Sequence, residues 1–187
     1  MKISINDKTT DEEIVELTRK SDKEYFGYLI DRYEFKLLSY VKRLTSDSSE
    51  AEDLVQQVFM NAFVSLNSFD SANKFSSWIY RIAHNLAVNW LKKKKAQFFL
   101  DNDDVMRFKS EIDIEEEIIA KENGKILAEA INKLPQKYKD PFVLKYFEDK
   151  SYEEISFILK LPKNTVGTFI NRAKKFLRNE LEKKHVR

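Results

Sequence analysis

The apolar residues of this chain recur at helical spacing over most of its length. From Tyr25 to Leu44 the stripe runs Phe26, Leu29, Ile30, Tyr33, Leu37, Leu38 and Val41, steps of three and four that give a helix one apolar face. From Ser49 to about Leu66 two adjacent rows do the same, Leu54, Val58, Ala62 and Leu66 beside Val55, Phe59 and Phe63. A hydroxyl residue three places ahead of a glutamate marks a helix start. Thr10/Glu13 opens one through about Arg19, Ser49/Glu52 the one just described, and Ser151/Glu154 a short one through Leu159. Ser76 is expected to cap a fourth helix, Ser77 to about Lys94, after the polar loop 67–74.

Past Lys95 the periodicity lapses. Residues 96 to about 116 mix acids with Phe98, Phe99 and Leu100 and read as a linker with room for a helical turn. Helicity resumes near Ile114 or Glu115 and runs to Leu134, where Pro135 interrupts it, and Asp140-Pro141 precedes a further helix to about Phe147. The expected fold is all-α: two small helical domains, 1–95 and 125–187, joined by an acidic flexible linker, 96–124, the second domain a helix-turn-helix.

Composition supports helices and narrows the chemistry. Only three glycines and three prolines occur in 187 residues, too few for a protein built on tight turns. The absence of cysteine excludes disulfides and thiolate metal sites, and two histidines, His84 and His185, make no histidine-rich metal centre. Met1 to Asp7 lacks the apolar region of a secretion signal, and no run reaches the roughly 18 apolar residues of a membrane helix. A soluble cytoplasmic protein is expected. No Gly-rich phosphate loop, HExxH or nucleophile–histidine–acid spacing is found, so neither an enzyme nor a metal or other cofactor is expected.

The net charge of +2 conceals a pattern. Acids dominate between Ala96 and Gly124, bases dominate from Lys163 to the end, and Lys92 to Lys95 closes the first segment with four lysines in a row. Two basic segments around an acidic middle point to nucleic acid.

Residues 151–178 read SYEEISFILKLPKNTVGTFINRAKKFLR. A helix from Tyr152 to Leu159 and a turn at Leu161-Pro162 lead to a second helix, capped by Thr165 or Asn164. Val166, Ile170, Ala173 and Leu177 form its inner stripe, and Thr165, Thr168, Asn171, Arg172 and Lys175 its outer side. Hydroxyl, amide and guanidinium groups suit base edges and phosphates in a major groove. A helical hairpin with a solvated basic face satisfies the same pattern.

In the first segment AEDLVQQVFMNAF (51–63) is followed by FSSWIYRIAHNLAVNWLKKKK (75–95), where Phe75, Trp78, Tyr80 and Trp90 stand among Arg81 and the lysine run. Aromatic faces stack unpaired bases while cations track phosphates, although Trp78, Ile82 and Leu86 at i, i+4 spacing read as core. His84 is expected at the surface.

From about Asp22 to Arg178 the chain resembles the extracytoplasmic-function sigma factors of bacterial RNA polymerase, on EDLVQ (52–56), WIYRIAHN (78–85), Leu134-Pro135, YEEI (152–155), Thr165-Val166 and Arg172-Ala173 in order. The resemblance implies a protein that binds core RNA polymerase and directs it to promoter DNA through the −10 and −35 elements. Asp53, Gln56 and Gln57, with Leu54 alongside, are then expected to dock on the polymerase. Phe69 and Asp70 of the loop would frame a base pocket at the −10 element or serve as ordinary loop packing, Asn85 would contact a base or backbone, and Arg81, Lys92, Lys93 and Lys94 would meet phosphates. Thr165, Thr168, Asn171, Arg172 and Lys175 are expected at the −35 element.

The resemblance further implies a monomer when free, no small-molecule substrate, and control by a separate anti-sigma protein. Only the short stretch Met1 to Thr9 precedes the first helix, so no self-inhibitory N-terminal domain is expected. Where many members carry arginine and a basic residue, this chain has Phe169 and Gly167. Phe169 is placed to join the core edge, and the glycine lowers helix propensity by about 1 kcal/mol against alanine. A stand-alone helix-turn-helix regulator, which would dimerise on a palindrome, and a sigma-like adaptor that no longer reads promoters are the other readings.

Overall fold

Helices α1 (Asp11–Lys20), α2 (Phe26–Thr45), α3 (Ser49–Val64) and α4 (Phe75–Asp101) make the first half of the molecule. Helices α5 (Ala120–Asn132), α6 (Gln136–Tyr146), α7 (Tyr152–Leu159) and α8 (Lys163–Lys183) make the second. The computed structural model describes residues 5–6, 8–101 and 120–183, and contains no strand among them. The all-α expectation therefore holds. The acidic residues expected to form most of the linker fall within 102–119, outside the described residues.

The capping boxes at Thr10/Glu13 and Ser151/Glu154 form as expected, each hydroxyl accepting from the glutamate N–H while the glutamate accepts from the cap's own N–H. Three helix starts differ. Helix α3 is capped by Asp47, whose carboxylate accepts from the N–H groups of Ser49 and Glu50 at 3.2 and 3.4 Å, not by a Ser49/Glu52 box. Helix α4 begins at Phe75, where a carboxylate from α1, Glu12, accepts the Phe75 N–H at 2.7 Å; a partner remote in sequence replaces the Ser76 cap. Helix α8 begins at Lys163, with the Pro162 carbonyl accepting from Thr165 and Val166, so neither Thr165 nor Asn164 caps it.

Two extents differ too. Helix α4 continues past Lys94 to Asp101, while the expected start of α5 near Ile114 or Glu115 lies outside the described residues, which show α5 from Ala120. Pro141 lies inside α6, which starts directly after Pro135; one internal N–H is missing there and the helix proceeds.

Each half packs around the stripes read above. Leu29, Leu37, Val41, Val58, Ala62 and Ile79 are fully buried in the first, and Val143, Leu144, Ile155, Val166, Ile170 and Ala173 in the second. Each fully buried side chain of leucine or isoleucine size contributes about 1.5–3 kcal/mol. The halves also meet. Helix α7 packs on α4, and α6 packs on α2.

Candidate functional site

Helix α3 presents one side to the core and the other to solvent. Asp53, Gln56 and Gln57 are exposed, while Leu54 is 7% exposed and faces inward with Val55 and Val58. Leu54 therefore supports this face from within and does not lie on it. Met60 and Val64 continue the outer row, 67% and 83% exposed. Large apolar groups left in water beside an acid and two amides make a surface suited to a partner. Met60 and Val64 went unread in the sequence, although their spacing of three and four from Gln57 and Met60 carries the signal.

The loop between α3 and α4 is fastened by α1. The Arg19 guanidinium donates through Nη2 to the carbonyls of Leu66 and Phe69, each at 2.5 Å, and through Nε to Leu66 at 3.1 Å. Phe69 is buried, its ring 5.2 Å from Trp78 and 5.8 Å from Phe75 between centroids. It holds the loop from beneath, which leaves it no open face for a base. Trp78 belongs to the same cluster, as its core reading expected. Asp70 is exposed and accepts from the Ala72 N–H at 3.0 Å, shaping the loop tip. Arg19 and Glu12 position this region from a distant helix, and nothing local in the sequence marks them.

Along α4, Arg81, Asn85 and Lys92 share one side at i, i+4 and i+11. Asn85, Lys92 and Lys93 are exposed. Lys94 is tied to Asp47 at 2.6 Å and lies over the Trp90 ring, a pairing that pulls the Asp47 carboxyl down to about 2. Arg81 is only half exposed, its guanidinium 5.0 Å from the centre of the Phe157 ring of α7.

His84 is not at the surface. Its side chain is 13% exposed, held between Tyr40, 3.4 Å from Nδ1, and Asp140 of α6, 3.9 Å from Nε2. The helical register that sets Asn85 outward turns residue 84 towards the other half of the molecule. Burial lowers the imidazole to about 4 and raises the Asp140 carboxyl to about 7, so each favours its neutral form there.

In α8 the inner stripe is buried as expected, while Thr168, Asn171, Arg172 and Lys175 are exposed and Thr165 is half exposed. Phe169 turns onto the Tyr138 ring, 5.4 Å between centroids and near-perpendicular, and Arg172 Nη1 donates to the Tyr138 hydroxyl at 3.3 Å. The helix-turn-helix bend is made by Lys160, left-handed at φ 54, and closed by the Ser156 hydroxyl donating to the Leu161 carbonyl at 2.5 Å. Four exposed polar side chains on a helix supported from behind by α6 and α7 form a surface able to enter a groove.

No group of three or more metal-ligating acids, histidines or cysteines is gathered among the described residues. No helix among them is long and apolar enough to cross a membrane.

Comparison with known proteins follows the same division. The model for sigma-70 region 2 matches residues 29–97, and that for sigma-70 region 4 matches 124–177. The chain is 35% identical over 176 residues to the ECF RNA polymerase sigma factor SigW of Bacillus subtilis, covering 89% of this chain and 94% of that protein. It is 32% identical over 182 residues to the ECF RNA polymerase sigma-E factor of Haemophilus influenzae, covering 92% and 96%. Among solved structures, the sigma factor RpoE of Bartonella quintana, determined with the anti-sigma factor NepR, aligns with TM-score 0.73 and 23% identity over 85% of this chain and 98% of that one. CnrH, determined with the cytosolic domain of CnrY, aligns with TM-score 0.71 and 20% identity over 92% and 97%.

Proposed function

Because the chain belongs to the ECF sigma factors of the sigma-70 family, we propose that it binds core RNA polymerase through the outer face of α3 and reads promoter DNA through α4 and α8. The observation that carries the docking assignment is the exposed row Asp53, Gln56, Gln57, Met60 and Val64 on a helix whose other side is core. Asp53 accepts from cationic groups of the partner, the two amides bond alongside, and Met60 and Val64 supply apolar area.

On DNA, Asn85 and the Asp70 loop contact the −10 element while Arg81, Lys92, Lys93 and Lys94 run along phosphates. Thr168, Asn171 and Arg172, flanked by Thr165 and Lys175, read the −35 element. Opening the −10 element costs a few kcal/mol of unstacking and unpairing, which contacts to the freed strand must offset. These roles require no cofactor and no catalysis by the chain itself, and the protein works in the cytoplasm, where polymerase and DNA are. The two domains are then the one that ends with α4 and the one that begins with α5, with the tether between those helices.

Control passes through an anti-sigma protein. We place its docking in the groove between α2 and α5, where Leu127 and Phe147 offer apolar area beside Arg43. The Bartonella relative was found with such a protein.

The test is co-elution of the purified chain with core RNA polymerase on a sizing column. The wild-type chain is expected to co-migrate and Asp53→Arg to lose that co-migration while keeping its helical circular dichroism. A folded wild-type chain that stays apart from polymerase would instead favour the stand-alone regulator.

A further inference from the structure

We propose that Tyr138 of α6 is a positioning residue that holds Arg172 ready for the −35 element, with Phe169 as the brace that fixes the Tyr138 ring. This positioning rests on the reading of α8 as the −35 surface, and it is in place before DNA arrives.

Tyr138 lies in the first turn of α6, and its ring packs half-buried against the core of the second half. Helix α6 lies along α8. Phe169 and Arg172 stand three residues apart on α8 and so share one side of it. Both meet Tyr138. The Phe169 ring, itself half-buried, stands edge-on to the Tyr138 ring at 5.4 Å and 71°, while Lys137 lies over that ring at 5.0 Å. With the ring so held, its hydroxyl oxygen accepts from Arg172 Nη1 at 3.3 Å, and this bond draws the phenol below its ordinary value.

The rest of the outward face is not held in this way. The Thr168 hydroxyl turns back to the Asn164 carbonyl of its own helix at 2.9 Å. Of Thr165, Thr168, Asn171, Arg172 and Lys175, only Arg172 is held by a side chain of another helix among the described residues. An arginine free in water samples many rotamers and loses that freedom on binding; one tethered beforehand loses less. Tyr138 takes one N–H of the guanidinium as a neutral acceptor, so the positive charge and the other donors of the planar fork remain for DNA. A carboxylate in the same place would hold Arg172 more firmly but offset its charge. Phe169 gains a role by this. At a position where many family members carry arginine, this chain has an aromatic ring that fixes the partner of the next cation along the helix.

The experiment measures promoter binding by polymerase holoenzyme reconstituted with the wild-type chain, Tyr138→Phe, Arg172→Ala and the double variant. Two duplexes that share a −10 element are compared. One carries a −35 element selected by the wild-type holoenzyme from a randomised library, the other a scrambled one. Tyr138→Phe keeps the ring against Phe169 and loses only the hydroxyl. It is expected to lower the ratio of the two affinities about threefold to tenfold, at an unchanged salt slope because no charge is removed. Arg172→Ala is expected to lower the ratio at least as far, and the double variant no further than Arg172→Ala alone. Unchanged discrimination in Tyr138→Phe beside a loss in Arg172→Ala overturns the positioning role and leaves the −35 reading standing. Losses that add in the double variant overturn it too, since Tyr138 then acts by itself. An equal fall on both duplexes means that the hydroxyl serves the fold and not the reading, which also overturns the proposal. Should Arg172→Ala leave the ratio unchanged, the −35 reading of Arg172 fails and the positioning role fails with it.

Discussion

The Tyr80 hydroxyl donates a 2.5 Å hydrogen bond to Glu148, joining a helix of the first half to the turn after α6 in the second. Burial raises the Glu148 carboxyl above its ordinary value, the Tyr80 bond and Arg43 at 3.8 Å pull it back, and the phenol is itself driven upward by burial. Removing one partner leaves the other buried and short of a bond. Tyr80→Phe is expected to cost about 1–3 kcal/mol, read as a lower urea midpoint at unchanged slope.

Asp140 predicts a signed pH dependence. Its carboxyl is raised by burial from 3.8 to about 7, so its contribution is present below pH 3.8 and is lost as the pH rises through about 7. A side-chain amide at this position could not ionise and would keep the bond that Gln136 Nε2 gives to Asp140. Asp140→Asn should match the wild type near pH 4 and exceed it increasingly up to neutrality, by on the order of a few kcal/mol, then level off. His84, 3.9 Å from Asp140, works in the opposite direction, losing stability as the pH falls from 6.5 to about 4. Thermal unfolding of both across that range is the measurement, and a pH-independent difference would contradict the burial argument.

Gly167 sits in α8 with ordinary backbone angles, and a Cβ there would meet only the Tyr152 ring at 3.6 Å, a normal contact. Gly167→Ala should therefore stabilise by about 1 kcal/mol, a rise of roughly 2–4 °C in Tm. A fall in Tm would mean that Tyr152 cannot accommodate the methyl group.

Asn171 and Lys175 are both exposed on α8 yet are expected to behave differently on DNA. In the polymerase holoenzyme, Asn171→Ala should weaken binding at the preferred −35 sequence by about 1–3 kcal/mol and flatten discrimination between sequences. Lys175→Ala should weaken all sequences alike and lower the salt slope by about one. Promoter binding at several salt concentrations distinguishes the two.

The helix-turn-helix was legible because its determinants are local. Val166, Ile170, Ala173 and Leu177 follow one helical period, and the Ser151/Glu154 box needs only three residues to form. Helix starts were missed where the partner is distant. Glu12 caps α4 across 63 positions, and Arg19 reaches Leu66 and Phe69 across 47 and 50. Polar neighbours in sequence leave open whether Phe69 meets a base or packs within the loop, and Trp78 and Phe75 decide it by burying the ring in space.

Periodicity, capping and motif order are properties of neighbours along the chain. For that reason the helices, their apolar faces, the outward rows of α3 and α8, and the family could all be read from the residues in order. That His84 faces Asp140, that Lys139 closes the end of α2 and that Arg81 lies over Phe157 emerged only once the chain was folded. Each of those depends on how two separately periodic halves are set against one another, and the energies that set them come from pairs as much as 95 residues apart, which no local pattern encodes.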